Sequence, residues 1–268
     1  MQVSTSSAFT DFIYNQGALT GTNQQINGLS NSTIYYWRVS ATNSYGTSVS
    51  GVRSFTTNVT GDLVAYYPFN STADDLSGNG YNGIVSGAVP STDRFNATNA
   101  AYYFDGVDDS IHIQYSATLN PTTLALSVWV YITNTSSNSY QHVLSTSANG
   151  SFSGYLIQLQ KDVAKGVFTT GLGASPYYDH MYTNTLSVNT WYHLVGTYNG
   201  SIKKLYINGS LFDSTTTTMV YSTTALDIGS MPGGGNNFSG KIDDIRIYNG
   251  VISDVEILNL YHEGGWVK

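Results

Sequence analysis

The sequence predicts an all-β chain that ends in one short helix, and three observations carry that expectation. Charged residues make up only 10% of the 268 residues, so polarity falls to Ser, Thr, Asn, Gly and 22 Tyr. β-branched and aromatic side chains suit a pleated, half-buried strand, and Gly with Asn suits the turns between strands. Short runs of alternating apolar residues recur along the chain, and a helical period shows only near the C-terminus. Hydrophobic residues reach 41%, enough for a packed core rather than a disordered chain.

Charge and cysteine content exclude several functions. The formal net charge is −7, and the ten Lys and Arg are scattered, with Lys203-Lys204 their one adjacent pair. There is no basic stripe to displace counterions from a phosphate backbone, so nucleic acid is not an expected partner. The absence of cysteine excludes disulfides, zinc–thiolate sites and a thiol nucleophile. No apolar run is long enough for a membrane span. The start, Met1-Gln2-Val3-Ser4, has neither a basic region nor an apolar stretch, so no signal peptide is expected within this chain.

Residues 1–58 read as a first, small domain. Tyr35, Trp37, Val39 and Ala41 alternate, which predicts one strand face. Asn43-Ser44-Tyr45-Gly46 predicts a turn, and Val52 to Thr56 a last strand. Leu29, Thr33, Tyr35, Trp37, Arg38, Val39, Ala41, Asn43, Gly46 and Ser54-Phe55-Thr56-Thr57 together resemble the second half of a fibronectin type III domain. The resemblance implies a partial immunoglobulin-like β-sandwich that lacks its early strands and their buried tryptophan. It also implies that Tyr35 is a corner tyrosine bonded to nearby backbone, and that the chain belongs to a larger multidomain protein. Asn58-Val59-Thr60-Gly61 is a polar joint too short for free tumbling.

Residues 62–268 read as one large sandwich of strands and turns. Leu63-Val64-Ala65-Tyr66-Tyr67-Pro68-Phe69 opens it, followed by an Asp/Gly/Asn-rich loop from Asp74 to Gly83 and a turn at Asp105-Gly106. Leu126-Ser127-Val128-Trp129-Val130 predicts a strand with a buried tryptophan. Trp191-Tyr192-His193-Leu194-Val195, Leu205-Tyr206-Ile207-Asn208-Gly209 and Gly240-Lys241-Ile242-Asp243-Asp244-Ile245-Arg246-Ile247-Tyr248-Asn249 follow in order. Ser253-Asp254-Val255-Glu256 reads as a capping box, and Val255, Leu258, Leu260 and Tyr261 as the apolar side of a helix stopped by Gly264-Gly265. These ordered motifs resemble the laminin-G-like, concanavalin A-like lectin and glucanase domains. The resemblance implies a two-sheet antiparallel jelly roll and an extracellular or cell-surface location.

Glucanases of that fold work with paired glutamates on one strand. This chain has only Glu256 and Glu263, both at the terminal helix, so no carboxylate pair is placed to attack a glycosidic bond. No G-x-S-x-G elbow supports serine chemistry. His193, inside an apolar strand, and His142, at the start of one, read as structural. Tyr177, Tyr178 and His180, in a Tyr-rich loop, are candidates for contact with a sugar. Hard cations want clustered oxygen ligands, and the resemblance implies a structural calcium near the closing strand. The expected ligands are Asp75, the Asn79–Gly80 turn and Asp243, with Asp108-Asp109 as a weaker alternative. The expected function is a non-catalytic extracellular binding module for a glycan or a cell-surface protein, stabilised by Ca²⁺. The alternatives are an accessory domain of a larger secreted glycoside hydrolase and a structural adhesion repeat.

Overall fold

The computed structural model describes residues 1–26, 29, 33–57, 61–133, 140–160 and 163–267 and divides the chain into two units, Met1–Thr60 and Gly61–Lys268. The proposed joint at Asn58-Val59-Thr60 lies outside the described residues. The first unit holds β1 (Gln2–Ser4), β2 (Tyr14–Asn15), β3 (Ile34–Arg38), β4 (Ser40–Asn43), β5 (Gly46–Val49) and β6 (Arg53–Thr56). Four of these form an antiparallel sheet in the order β2-β1-β3-β6, and β4 pairs with β5 as a separate hairpin. Tyr35 is buried and stacks on Phe55 at 5.7 Å.

The single face expected from Tyr35 to Ala41 ends early. β3 stops at Arg38, where Val39 bonds through both backbone groups to Ser50, and the chain leaves the sheet for the β4–β5 hairpin. Val39 and Ala41 are consequently exposed. Two strands, β1 and β2, also precede β3 where the sequence showed none.

The second unit continues with β7 (Asp62–Tyr67), β8 (Ile84–Ser86), β9 (Val89–Ser91), β10 (Ala101–Asp105), β11 (Ser110–Ile113), β12 (Leu124–Ile132), β13 (Gln141–Ser145) and β14 (Tyr155–Leu159). β15 (Lys165–Gly171), β16 (Tyr178–Thr185), β17 (Trp191–Tyr198), β18 (Ile202–Ile207), β19 (Ser210–Thr216), β20 (Leu226–Ile228) and β21 (Ser239–Asn249) complete it. An eight-stranded sheet runs β19-β18-β17-β12-β21-β10-β9, with β7 also paired to β21; a seven-stranded sheet runs β16-β15-β14-β13-β20-β11-β8. Every pairing is antiparallel. This is the jelly-roll sandwich that the motifs implied.

Alternation decides what lies between the sheets. Leu126, Val128 and Val130 of β12 point inward and meet Val143, Ile157 and Phe168 of the other sheet in one core. Gly196 makes room there: a Cβ at that position would lie 2.6 Å from the Phe168 ring. The intervening residues of β12, Ala125, Ser127 and Trp129, face out from the core. The helix α1 (Asp254–His262) covers that outer face: Ile257 and Leu260 pack with Ala125, Val195 and Tyr206, and Tyr261 and Trp266 pack with Trp129. Ser253 caps α1, its Oγ accepting from Glu256 N at 3.1 Å. The buried side of α1 is Ile257, Leu260 and Tyr261, at i, i+3 and i+4, whereas Val255 and Leu258 are exposed. The sheet, not the apolar content of the helix, selects that side.

A bulge in β21 places the acidic pair. Ser127 opposes Arg246 and Trp129 opposes Asp243, so Val128 faces two residues. Asp244 takes a left-handed φ of 47° in this bulge. Adjacent strand residues normally point to opposite faces; here both carboxylates reach one guanidinium. Arg94 Nη1 lies 2.9 Å from Asp243 Oδ2 and 2.7 Å from Asp244 Oδ2, and Arg94 packs 4.5 Å over the Trp129 ring.

Candidate functional site

The same alternation that fills the core builds a cleft on the far side of the seven-stranded sheet. Tyr155, Ile157 and Leu159 of β14 enter the core, so Leu156 and Gln158 face away from it. On β15, Phe168 points in and Thr169 out; on β16, Met181 points in, with Tyr178 and His180 on the outer side. Tyr140 and His142, at the start of β13, complete the floor. The loops Asn149–Phe152 and Met231–Asn236 form the walls. Together these residues line a cavity of about 380 Å³.

Aromatic rings dominate one end. His180 stacks on Tyr140, with centroids 5.6 Å apart and planes 9° apart, and is flanked by Tyr178 and Tyr182, each at 5.8 Å. Phe152 meets Tyr178 edge-on at 5.6 Å. Hydrogen bonds fix these rings: Tyr140 and Tyr182 share a hydroxyl contact of 3.1 Å, and the Tyr178 hydroxyl lies 2.8 Å from Ser147 Oγ.

A polar chain crosses the floor. Gln158 Nε2 donates to Thr169 Oγ1 at 3.0 Å, and Thr169 Oγ1 lies 2.9 Å from His180 Nδ1. The Thr169 hydroxyl can donate to His180 Nδ1 or accept from it, so it serves either tautomer of that ring. Asn236 Nδ2 donates to His142 Nε2 at 3.2 Å, which places the His142 proton on Nδ1, a buried atom with no partner of hydrogen-bonding geometry among the described residues. Burial pushes His142 down to about 4. Burial, reinforced by Lys203, also lowers His180. Both rings are therefore neutral hydrogen-bonding groups at ordinary pH.

Among the described residues no Asp, Glu, Lys or Arg lines the cleft. Glu256 and Glu263 sit at α1 against the other sheet, where Glu263 pairs with Arg246 at 2.7 Å. A pair of carboxylates flanking a glycosidic bond, the requirement for ordinary glycoside hydrolysis, is not met by this cleft.

Of the sugar-contact candidates, Tyr178 and His180 fall in the lining. Tyr177 does not; it turns away with a φ of 71° and packs on Phe152 at 4.3 Å. His142, read from sequence as structural, also lines the cleft. Tyr140, Asn149, Gln158, Thr169 and Asn236 gave no sequence signal, because only tertiary folding brings their segments together. His193 is buried as expected: its Nε2 lies 2.8 Å from Ser127 Oγ, its ring stacks on Trp129, and burial pushes it down to about 3.

Two of the residues expected to hold calcium, Asp75 and Asp243, have their carboxylates engaged by protein partners. Asp75 accepts from the backbone N–H of Tyr66 (2.9 Å), Ser77 (2.9 Å) and Tyr81 (3.0 Å) and from the Ser77 hydroxyl (2.9 Å). Those donors occupy the lone pairs that a cation would need. Asn79 uses its amide N–H groups on Val64 O and Ser77 Oγ. Asp243 faces the Arg94 guanidinium instead of a metal site. Asp105, Asp108 and Asp109 do lie within 4.8 Å of one another at the β10–β11 hairpin. There Asp109 accepts from Asp105 N and Asp105 from Val107 N, the bonds of a tight turn.

Comparison with known proteins places this geometry. The Laminin_G_3 family, described as the concanavalin A-like lectin/glucanases superfamily, matches residues 104–258, more than half of the chain. Among curated proteins no sequence match is found. Among solved structures, domain 4 of AbnA, a GH43 extracellular arabinanase from Geobacillus stearothermophilus in complex with arabinotriose, is similar at a TM-score of 0.59 and 19% identity, covering 75% of this chain and 98% of that one. The binding domain of Paraclostridial Mosquitocidal Protein 1 is similar at 0.58 and 19%, covering 75% of this chain and 52% of its own. A botulinum neurotoxin type C structure, whose cell entry depends on two ganglioside molecules, is similar at 0.57 and 19%, covering 75% and 51%. The chain thus spans about half the length of these toxin domains.

Proposed function

The chain belongs to the concanavalin A-like lectin/glucanase superfamily, and from that premise we propose that it is a non-catalytic carbohydrate-binding module acting outside the cell. One observation carries the reading: a cleft walled by Tyr140, Phe152, Tyr178 and His180, floored by neutral hydrogen-bonding groups and, among the described residues, free of carboxylates. Rings present flat apolar faces to the C–H side of a sugar, and amides with a fixed imidazole tautomer meet its hydroxyls. A concave site with aromatic walls and a few placed polar groups is the general form of a small-molecule pocket.

The arabinanase domain covers nearly its full length on this chain, which supports an accessory role within a larger secreted protein. In that reading the first unit is a fibronectin type III remnant that spaces the module from its neighbours. Among the described residues no helix is long and apolar enough to cross a membrane. Calcium has no part in this reading.

The experiment is a glycan array on the whole chain, followed by calorimetry on each hit with the wild type and His180→Ala. Binding to a defined glycan that weakens at least about tenfold in the variant, a loss of about 1.4 kcal/mol, supports the cleft. Failure to bind any glycan while folded removes the reading. In that outcome a structural adhesion repeat accounts better for the fold.

A further inference from the structure

We infer that the cleft takes an uncharged segment of glycan and excludes sialylated, uronate-containing or sulfated sugars; this rests on the carbohydrate-binding reading above. The absence of charge extends beyond the lining. Residues 110–160, which supply β13, β14 and the Asn149–Phe152 wall, contain no Asp, Glu, Lys or Arg, and neither do residues 228–240, which supply the other wall.

Of the charges on the same sheet, Asp179 and Asp227 are partnered, and Lys165, four residues before Thr169 on β15, is outside the lining. Asp179 points to the opposite side of β16 from His180 and pairs with the buried Lys203 of the other sheet, at 3.2 Å to Nζ. Asp227, on the same sheet as the cleft, is held by His112 Nδ1 at 2.7 Å. Among the described residues that line the cleft there is no cation for a bound anion.

The imidazoles cannot supply one. His142 takes a hydrogen bond from Asn236 at Nε2, and His180 faces the Thr169 hydroxyl at Nδ1. His142 Nε2 accepts from the Asn236 amide, so protonating that ring would place an N–H against an N–H or displace the donor; burial disfavours the charged form of His180, which stacks on Tyr140. A carboxylate or sulfate entering this cleft would lose its hydration shell and find no counter-charge, which is a strongly unfavourable exchange. The protein's net charge of −7 adds a long-range repulsion of the same sign.

Neutral hydroxyls meet the reverse situation. Each is both donor and acceptor, and the amides of Asn149, Gln158 and Asn236 are too. The cavity of about 380 Å³ lies toward the small end of the roughly 300–1,000 Å³ typical of ligand clefts. It therefore accommodates a short stretch of sugar rather than a long polymer.

The test compares matched pairs by calorimetry on the whole chain: lactose with sialyllactose, and methyl-esterified oligogalacturonides with the same oligomers de-esterified, alongside neutral arabino- and gluco-oligosaccharides. Each is run at about 50 mM and 500 mM salt, where the Debye length falls severalfold. The expected result is that a neutral member binds and its anionic partner binds at least about tenfold more weakly, with the gap persisting at high salt. Persistence assigns the exclusion to the cleft; a gap that closes at high salt assigns it to net charge alone and overturns the inference. Asn149→Lys, on an exposed loop, introduces a cation at the rim and should narrow the gap. An anionic glycan that binds as tightly as its neutral partner overturns the inference but leaves the binding module intact. A folded chain that binds no sugar of either kind removes both.

Discussion

A carboxylate with every lone pair occupied is a structural element, and Asp75 is one. Burial pushes its carboxyl up, but the hydrogen bonds from Tyr66, Ser77 and Tyr81 outweigh burial and hold it below the usual carboxylate value. A depressed folded pKa means that the stability it contributes is present above the unfolded pKa and lost as pH falls through the folded one. Asp75→Asn keeps one oxygen but turns an amide N–H₂ toward existing donors. It is expected to cost about 1–3 kcal/mol at pH 7, and the gap from wild type should shrink as pH falls below about 4. Urea midpoints at pH 7 and pH 3, each with calcium and with chelator, measure this. A cost that appears only with calcium would restore Asp75 as a ligand.

Two buried imidazoles set a second pH dependence. Burial, with Arg94 and Arg246 nearby, pushes His193 down to about 3, and burial pushes His142 down to about 4. The unfolded chain protonates each ring near pH 6.5, so below that value it binds protons that the folded chain refuses. Stability therefore falls with falling pH, by up to about 1.4 kcal/mol per pH unit per ring. Asp243 opposes this trend: burial and the neighbouring Asp244 push its carboxyl up, so it makes stability fall as pH rises above the unfolded carboxylate value. His193→Gln isolates the imidazole contribution. The plot of unfolding free energy against pH from 6.5 to 4 should lose the slope of about one proton; an unchanged slope would mean that the ring is already charged in the fold.

The helix α1 shows how an element is held by its neighbours. Trp266, just past its end, meets Trp129 at 5.3 Å and Phe95 at 5.7 Å, both edge-on, and Arg94 lies over Trp129 and Phe95 at 4.5 and 4.7 Å. Trp266→Ala is expected to cost about 3–5 kcal/mol, the range for a buried aromatic deletion, whereas Ser253→Ala, which removes only the cap, should cost about 1 kcal/mol. Chemical denaturation of both variants checks the ordering. A Trp266→Ala change no larger than the cap deletion would show that the helix does not depend on that aromatic group.

Legibility in sequence follows the same line between local and tertiary causes. β12 was readable because Leu126, Val128 and Val130 alternate with Ser127 and Trp129, and β17 and β21 because the motifs around His193 and Ile242 follow in order. The cap was readable because Ser253 and Glu256 are three residues apart. The buried side of α1 was not, because Val255 and Leu258 are as apolar as Ile257, and only the sheet beneath decides which are covered. The partner of Asp243 was hidden for a similar reason. A bulge, which leaves no mark in composition, swings Asp243 and Asp244 onto an arginine distant in sequence.

At the scale of the molecule, the cleft lies at the limit of what sequence can show. Its lining runs from Tyr140 to Asn236 and draws on four strands and two loops, so nothing short of the assembled sheet collects it. The jelly roll, by contrast, is complete within residues 61–268: both sheets, the core between them and the covering helix all come from that segment. The first unit has little to match it. Among its described residues the buried apolar side chains are Val3, Phe9 and Tyr35. A domain of about 60 residues buries only about 60% of the surface its unfolded chain exposes, so such a unit is marginal even with a fuller core. Residues 61–268 expressed alone should therefore melt within about 2 °C of the main transition of the whole chain, a difference below about 1 kcal/mol for a domain of this size. The fragment should also keep the glycan affinity of the parent, and calorimetry of the parent should show a small, separate transition that the fragment lacks. A fragment that aggregates, or that melts about 10 °C lower, would mean that the jelly roll draws several kcal/mol from the first sixty residues and that the two units fold as one.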